Sequence, residues 1–161
     1  MTAQLWEVHG EDGFMVCYRA TFAEVYRYAA LLCGTDRSAA EDLVQDVYLE
    51  ALDRTRSGAI TELSVGWFVT TARHRFIDRM RSAQRERRRL QLVVSTPSTD
   101  MGMHVPEQLA ALPERERLAM VLRFVDDLSV AQVAMAMGAT THAVESLIAR
   151  ATRRLRQQEV S

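Results

Sequence analysis

The chain has 161 residues, of which 48% are apolar and 25% charged, with a formal net charge of −1. That is enough apolar material for one full core or two small ones. The balanced charge excludes a uniformly basic, polyanion-coating protein, so any evidence about partners has to come from how the charge is distributed.

The distribution is uneven. Residues 1–66 carry 5 Arg against 11 carboxylates, residues 67–90 carry 8 Arg against Asp78 and Glu86, and residues 91–161 carry 7 Arg against 8 carboxylates. All 20 basic residues are arginine, whose planar fork suits bidentate contacts to phosphate and guanine. The start of the chain has no basic stretch leading into an apolar run, because Glu7, Glu11 and Asp12 interrupt it, so no secretion signal is expected.

The first predicted helix is Phe14–Leu32, with Phe14, Cys17, Tyr18, Phe22, Val25, Ala29 and Leu32 at helical spacing and Gly34 as its stop. Arg19, Glu24 and Arg27 interrupt it, whereas a membrane span needs about 20 nearly uncharged residues. Cys17 and Cys33 lie outside any C-x-x-C pattern and His9, His74, His104 and His142 are scattered. Small buried thiols are expected, with no zinc site and no cofactor.

Ser38 opens the next predicted helix through a capping box, "SAAE", in which Ser38 and Glu41 each satisfy the other's backbone amide. In "AEDLVQDVYLEAL" the residues Leu43, Val44, Val47, Ala51 and Leu52 form the apolar face, and Asp42, Gln45, Asp46 and Glu50 form a strongly acidic opposite face. Asp53 to Gly66 reads as a loop. From Trp67, "WFVTTARHRFIDRMRSAQRERRRL" keeps Phe68, Val69, Ala72, Phe76, Ile77 and Met80 on one stripe and arginine elsewhere. Asp78, among those arginines, is expected to orient them through local pairs. The residues 91–108 have two prolines and no clear period, which is the signature of a linker. Periodicity resumes through Leu109, Leu112, Leu118, Val121, Leu122 and Val125, with Pro113 tolerated at a first turn.

The C-terminal pattern is more specific. Ser129 and Gln132 form a second capping box for a short helix, Val130 to Met137, in which the small Ala134 permits close helix approach. Gly138 makes the turn and Thr140 caps the last helix. That helix buries Val144, Leu147 and Ile148 and exposes His142, Glu145, Ser146, Ala149 and Arg150. This is helix-turn-helix spacing. The helix start and its exposed face suit phosphate and the major groove, and Arg150, Arg153, Arg154 and Arg156 suit the DNA backbone. An amphipathic helix pair with a solvated basic end would carry the same residues.

The three segments "AEDLVQDVYLEAL", "WFVTTARHRFIDRMRS" and "LAALPERERLAMVLRFVDDLSVAQVAMAMGATTHAVESLIARATRRL", in that order and around a proline-bearing linker, resemble bacterial extracytoplasmic-function sigma factors along nearly the whole chain. The resemblance implies an all-α fold of two small helical domains, a region 2 domain over 1–90 and a region 4 helix-turn-helix domain over 109–161, joined by a flexible linker over 91–108. It implies a cytoplasmic, non-enzymatic factor that binds core RNA polymerase and promoter DNA and is held in check by an anti-sigma partner.

Residue by residue, the resemblance assigns Asp42, Gln45 and Asp46 to polymerase docking. Trp67, Arg73, His74, Arg75, Arg79 and Arg81 correspond to the surface for the melted minus 10 strand, where stacking and a basic track are needed. Trp67 and Phe68 fit a core role as well as a base platform, and His74 stands where relatives commonly have asparagine. The loop at Asp53–Gly66 matches the family's base-holding loop but carries no aromatic residue. Thr140, His142, Glu145, Ser146, Ala149, Arg150, Arg153 and Arg154 correspond to the minus 35 reader. Relatives often carry a basic residue in place of Glu145 and arginine in place of Leu147. Glu145 can accept from cytosine N4 or pair with Arg150 on its own helix. The linker, as in relatives, would thread toward the polymerase active centre.

A stand-alone helix-turn-helix regulator is the alternative, although it gives no reason for an acidic helix followed by an arginine helix. An enzyme is a poorer reading, because no nucleophile and base, metal spacing or glycine-rich phosphate loop is present.

Overall fold

The protein was analysed as a computed structural model that describes residues 4–90 and 106–159. Most of the expected linker, residues 91–105, lies outside the described residues. The described residues form two compact units, one of residues 4–29 and 38–90, the other of residues 30–37 and 106–159.

Three long helices, α1 (Gly10–Cys33), α2 (Arg37–Arg56) and α3 (Val65–Leu90), make the bundle of the first unit, except that Ala30–Cys33 of α1 and Arg37 of α2 belong to the second. Along α1 the predicted stripe residues Phe14, Cys17, Val25, Ala29 and Leu32 are buried, joined by Thr21 and Tyr28, whereas the predicted Tyr18 and Phe22 are half-buried. The core is aromatic where the helices meet. Tyr48 of α2 lies 4.7 Å from Tyr18 of α1 and 4.7 Å from Phe68 of α3, ring centre to ring centre. Such tilted and edge-on pairs add roughly 0.5–1.5 kcal/mol each beyond the area they bury. The Tyr48 hydroxyl reaches Thr21 Oγ1 at 2.7 Å, which satisfies the one polar group that the ring carries into the core. Burial pushes the Cys17 thiol up, against a smaller opposing effect of Thr21, so this cysteine is held as an unreactive core residue.

Several boundaries differ from expectation. α1 starts at Gly10, earlier than Phe14. α2 starts at Arg37, which places Ser38 inside the first turn, so the expected Ser38 box is not the cap. Asp53–Gly66 is not a continuous loop. α2 runs on to Arg56, and β2 (Glu62–Leu63) then pairs antiparallel with β1 (Trp6–Glu7), with Trp6 opposite Leu63. α3 begins at Val65, before Trp67, because Ser64 Oγ accepts from the Trp67 amide at 3.2 Å. A serine so placed satisfies one of the helix's free amides and contributes about 1 kcal/mol.

The second unit packs α5 (Glu114–Met120) and α6 (Val130–Met137) on α7 (Thr141–Glu159), with the short α4 (Glu107–Ala110) ahead of them. Leu118, Val121, Leu122, Val133, Val144 and Ala151 are fully enclosed. Pro113 directly precedes α5. The expected stripe fails at Val125, which is 51% exposed beside an exposed Phe124. Over Val121–Val125 the helix widens, the Asp126 amide donating to the Val121 carbonyl at 3.0 Å. That i→i+5 bond shifts the phase of the residues after it.

Candidate nucleic-acid interface

The helix-turn-helix is built from short-range chemistry. Ser129 Oγ accepts from the Gln132 amide at 3.2 Å and Gln132 Oε1 accepts from the Ser129 amide at 2.8 Å. Gly138 ends α6 at φ 60° and ψ 39°, a left-handed conformation that costs glycine little and other residues more. Thr140 Oγ1 then accepts from the Ala143 amide at 3.1 Å and caps α7. Ala134 is buried at the crossing, where a larger side chain would force the helices apart.

On α7, Val144 and Leu147 are buried and Ile148 is half-buried. His142, Glu145, Ala149, Arg150, Arg153, Arg154 and Arg156 are exposed, and Ser146 is half-buried. Leu147 therefore belongs to the core and not to the reading face. The arginines divide into two kinds. Arg150 and Arg154 turn their Nε groups to a single carboxylate, Glu116 of α5, at 3.5 and 3.0 Å. Among the described residues Arg153 and Arg156 make no ion pair. The expected pair between Glu145 and Arg150 does not form. The two are five residues apart, off the three-or-four spacing that brings side chains together on a helix, and Glu116 already holds Arg150.

In the first unit the acidic helix and the arginine helix are joined to one another. Arg75 places Nε and Nη2 on Glu50 Oε2 at 2.9 and 2.7 Å, and Nη1 lies 3.7 Å from Asp46. Arg79 also pairs with Asp46, and Arg54 with Glu50 at 2.9 Å. Burial works to raise the Glu50 carboxyl, but the hydrogen bond and charge of Arg75, followed by those of Arg54, outweigh it and hold Glu50 below its ordinary value. Asp46 is thus already paired with Arg75 and Arg79 at the surface of the bundle, while Asp42 and Gln45 are exposed. The expectation that Asp78 orients the arginines is not met, because the acids that do so are on α2.

Two concavities flank these residues. Asp42 and Gln45 edge an apolar groove of about 710 Å³ between α1 and α2, walled by Met15, Tyr18, Phe22 and Leu49. On the α3 side a polar pocket of about 510 Å³ is lined by Trp67, Thr71, His74, Arg75, Asp78 and Arg79, with Glu50 and Arg54 opposite. Phe68 is wholly core, whereas Trp67 is half-exposed and packs edge-on against it at 5.3 Å. Arg73 and Arg81 are half-buried and His74 is exposed.

Sequence reasoning overlooked Glu116 and gave Glu50 no partner. Glu116 could have been suspected from a carboxylate set among residues that pack inward, in "ERERLAM"; Glu50 carried no local signal. Among the described residues no cluster could hold a metal ion, and no helix is long and apolar enough to cross a membrane.

Comparison with known proteins joins these observations. Residues 17–86 match the Sigma-70 region 2 family and residues 104–155 match the Sigma-70 region 4 family. The ECF RNA polymerase sigma factor SigK of Mycolicibacterium vanbaalenii is 31% identical over 163 residues, covering 91% of this chain and 81% of that protein. SigX of Bacillus subtilis, another ECF sigma factor, is 26% identical over 145 residues, covering 79% of this chain and 73% of its own. In fold, the chain is similar to the sigma factor RpoE from Bartonella quintana, solved with the anti-sigma factor NepR, at a TM-score of 0.55 and 22% identity over 89% of this chain and 94% of that one. With both regions present in order, the chain belongs to the ECF sigma factors of RNA polymerase, which direct promoter recognition at transcription initiation and are not enzymes.

Proposed function

We propose that the exposed edge of α2, Asp42 and Gln45 with the apolar groove beside it, receives a basic helical surface of core RNA polymerase. Acid facing base speeds encounter and fixes orientation, and the groove supplies apolar area that rim charges lack. Asp46 joins this surface only by exchanging its partner Arg79 for a polymerase cation.

The melted minus 10 strand lies along α3. Trp67 and His74 in the lining of the polar pocket offer a stacking face and a hydrogen-bonding ring, and Arg73, Arg75, Arg79 and Arg81 make the backbone track. The minus 35 duplex takes α7, with the cap at Thr140 and with His142, Glu145, Ser146 and Ala149 toward the groove floor, and with Arg150, Arg153 and Arg154 on phosphates. The domains are 1–90 and 109–161, and the linker 91–108 sets the reach between the two DNA contacts, so binding is strong only when both engage. The factor works in the cytoplasm and is held by an anti-sigma partner over the same surfaces, as the Bartonella relative's complex suggests by analogy.

One observation carries this reading: a single bundle sets an exposed acidic edge beside an apolar groove on one side and a polar pocket lined by arginines and a half-exposed tryptophan on the other. Reconstituted transcription from genomic DNA with bacterial core polymerase, followed by start-site mapping, tests it. Starts sharing two upstream elements at a fixed spacing are expected. Starts sharing a minus 10 element only, or no starts, would contradict it. A stand-alone regulator would bind duplex tightly without polymerase, and the match to both sigma regions speaks against that.

A further inference from the structure

We infer that Glu116 is a positioning residue for DNA binding: from α5 it sets the arginines of α7 so that their outer nitrogens meet the phosphate backbone. This rests on the reading that α7 faces duplex DNA.

Glu116 is 5% exposed, yet it belongs to a helix whose other job is packing. Each of its oxygens serves a different arginine, Oε1 facing Arg150 Nε and Oε2 accepting from Arg154 Nε. The two arginines are four residues apart and share a face of α7. Their side chains are 55% and 53% exposed. Because the inward contact is made by Nε in both, the Nη ends are left for the solvent side. One carboxylate therefore fixes two guanidinium groups at neighbouring points along a helix. Arg153 and Arg156, without such a tether among the described residues, must lose side-chain freedom on meeting a phosphate, whereas Arg150 and Arg154 have lost much of it beforehand.

Simple charge counting gives the opposite expectation. The trio carries a net charge of +1, so removing the acid makes the face more basic and should tighten DNA binding and steepen its salt dependence. Positioning says that binding weakens. The sign of the effect separates the two accounts.

The test uses the full chain and a random-sequence 20-base-pair duplex, since backbone contacts are independent of sequence. Glu116→Gln keeps the volume but removes the charge and turns one of the two accepting oxygens into an NH2 that cannot accept from an arginine. It is expected to weaken duplex binding by about 10-fold, and in an Arg154→Ala background by about 3-fold or less, because it acts through the arginines. Arg153→Ala should weaken binding in either case. If Arg153→Ala weakens binding while Glu116→Gln tightens it or leaves it unchanged, the positioning role is wrong and the DNA-facing reading of α7 survives. If neither matters, that reading fails and the inference falls with it. A second measurement needs no variant to fold: in the free wild-type chain the Nε–Hε groups of Arg150 and Arg154 should be as ordered on the ps–ns timescale as the backbone, and those of Arg153 and Arg156 mobile. Equal mobility of all four would overturn the inference.

Discussion

The two arginine-bearing helices of this molecule are anchored in different ways. On α3, Arg75 and Arg79 pair with Asp46 and Glu50, whose side chains are 39% and 22% exposed. On α7, Arg150 and Arg154 pair with Glu116, whose side chain is 6% exposed. The residue types are the same and the solvent access of the acid is not. Exposed pairs contribute about 0–1 kcal/mol and are screened by salt, so Arg79 can exchange Asp46 for a phosphate at little cost, while the more enclosed Glu50 holds Arg75 more firmly. A buried carboxylate has no such freedom, since stranding it is costly. If α3 takes the melted strand and α7 the duplex, as proposed, the α3 track rearranges when DNA melts and the α7 clamp meets an intact duplex already formed.

The largest effect that could break this contrast is on stability. Replacing both Arg150 and Arg154 by alanine strands Glu116 and should lower the unfolding free energy by about 3 kcal/mol, at the lower end for a buried charge because the arginine ends are in water. Urea denaturation measures it, and a loss below about 1 kcal/mol would show that Glu116 is not a buried anchor.

Next in size is Glu50→Gln, expected to cost about 1 kcal/mol through the fork to Arg75. Because the Glu50 carboxyl is held below its ordinary value in the folded chain, its contribution is complete above the usual carboxylate range and is lost as the pH falls through the lowered folded value. The difference between wild type and variant should accordingly shrink in acid. A difference that stays constant with pH would assign the loss to packing. Smaller still, Asp46→Asn should cost about 0.5 kcal/mol and should approach zero in 1 M salt.

The smallest effect is at Glu145. Its alanine variant should change the preferred upstream sequence and leave the salt dependence nearly unchanged, while Arg153→Ala weakens binding to all duplexes alike. Selection of bound sequences from a random pool distinguishes them.

Much of the architecture was legible because it is written in contacts three or four residues long. Ser129 with Gln132, Gly138 and Thr140 sit where the sequence pattern put them, and the stripes of α1 and α3 are the buried faces. What stayed hidden was set by partners far along the chain. The ribbon of Trp6–Glu7 with Glu62–Leu63 has strands too short to show a period. Asp46 looked like an outward docking acid because nothing nearby in sequence revealed Arg79, 33 positions on. Glu116 was passed over, and only the packing of α5 on α7 discloses which arginines it holds. At Val125 a local rule was applied correctly and overridden, since the widened turn changes the period on which the rule depends.

The central claim is that polymerase and upstream DNA are taken by separate surfaces, and a paired affinity measurement tests it most directly. Binding of Asp42→Arg and Arg153→Ala chains is measured against core polymerase and against duplex DNA. Asp42→Arg should lose polymerase affinity by about 10-fold or more and keep its grip on duplex, while Arg153→Ala should do the reverse. If either variant loses both affinities together, or neither, the surfaces are not separate and the account is contradicted.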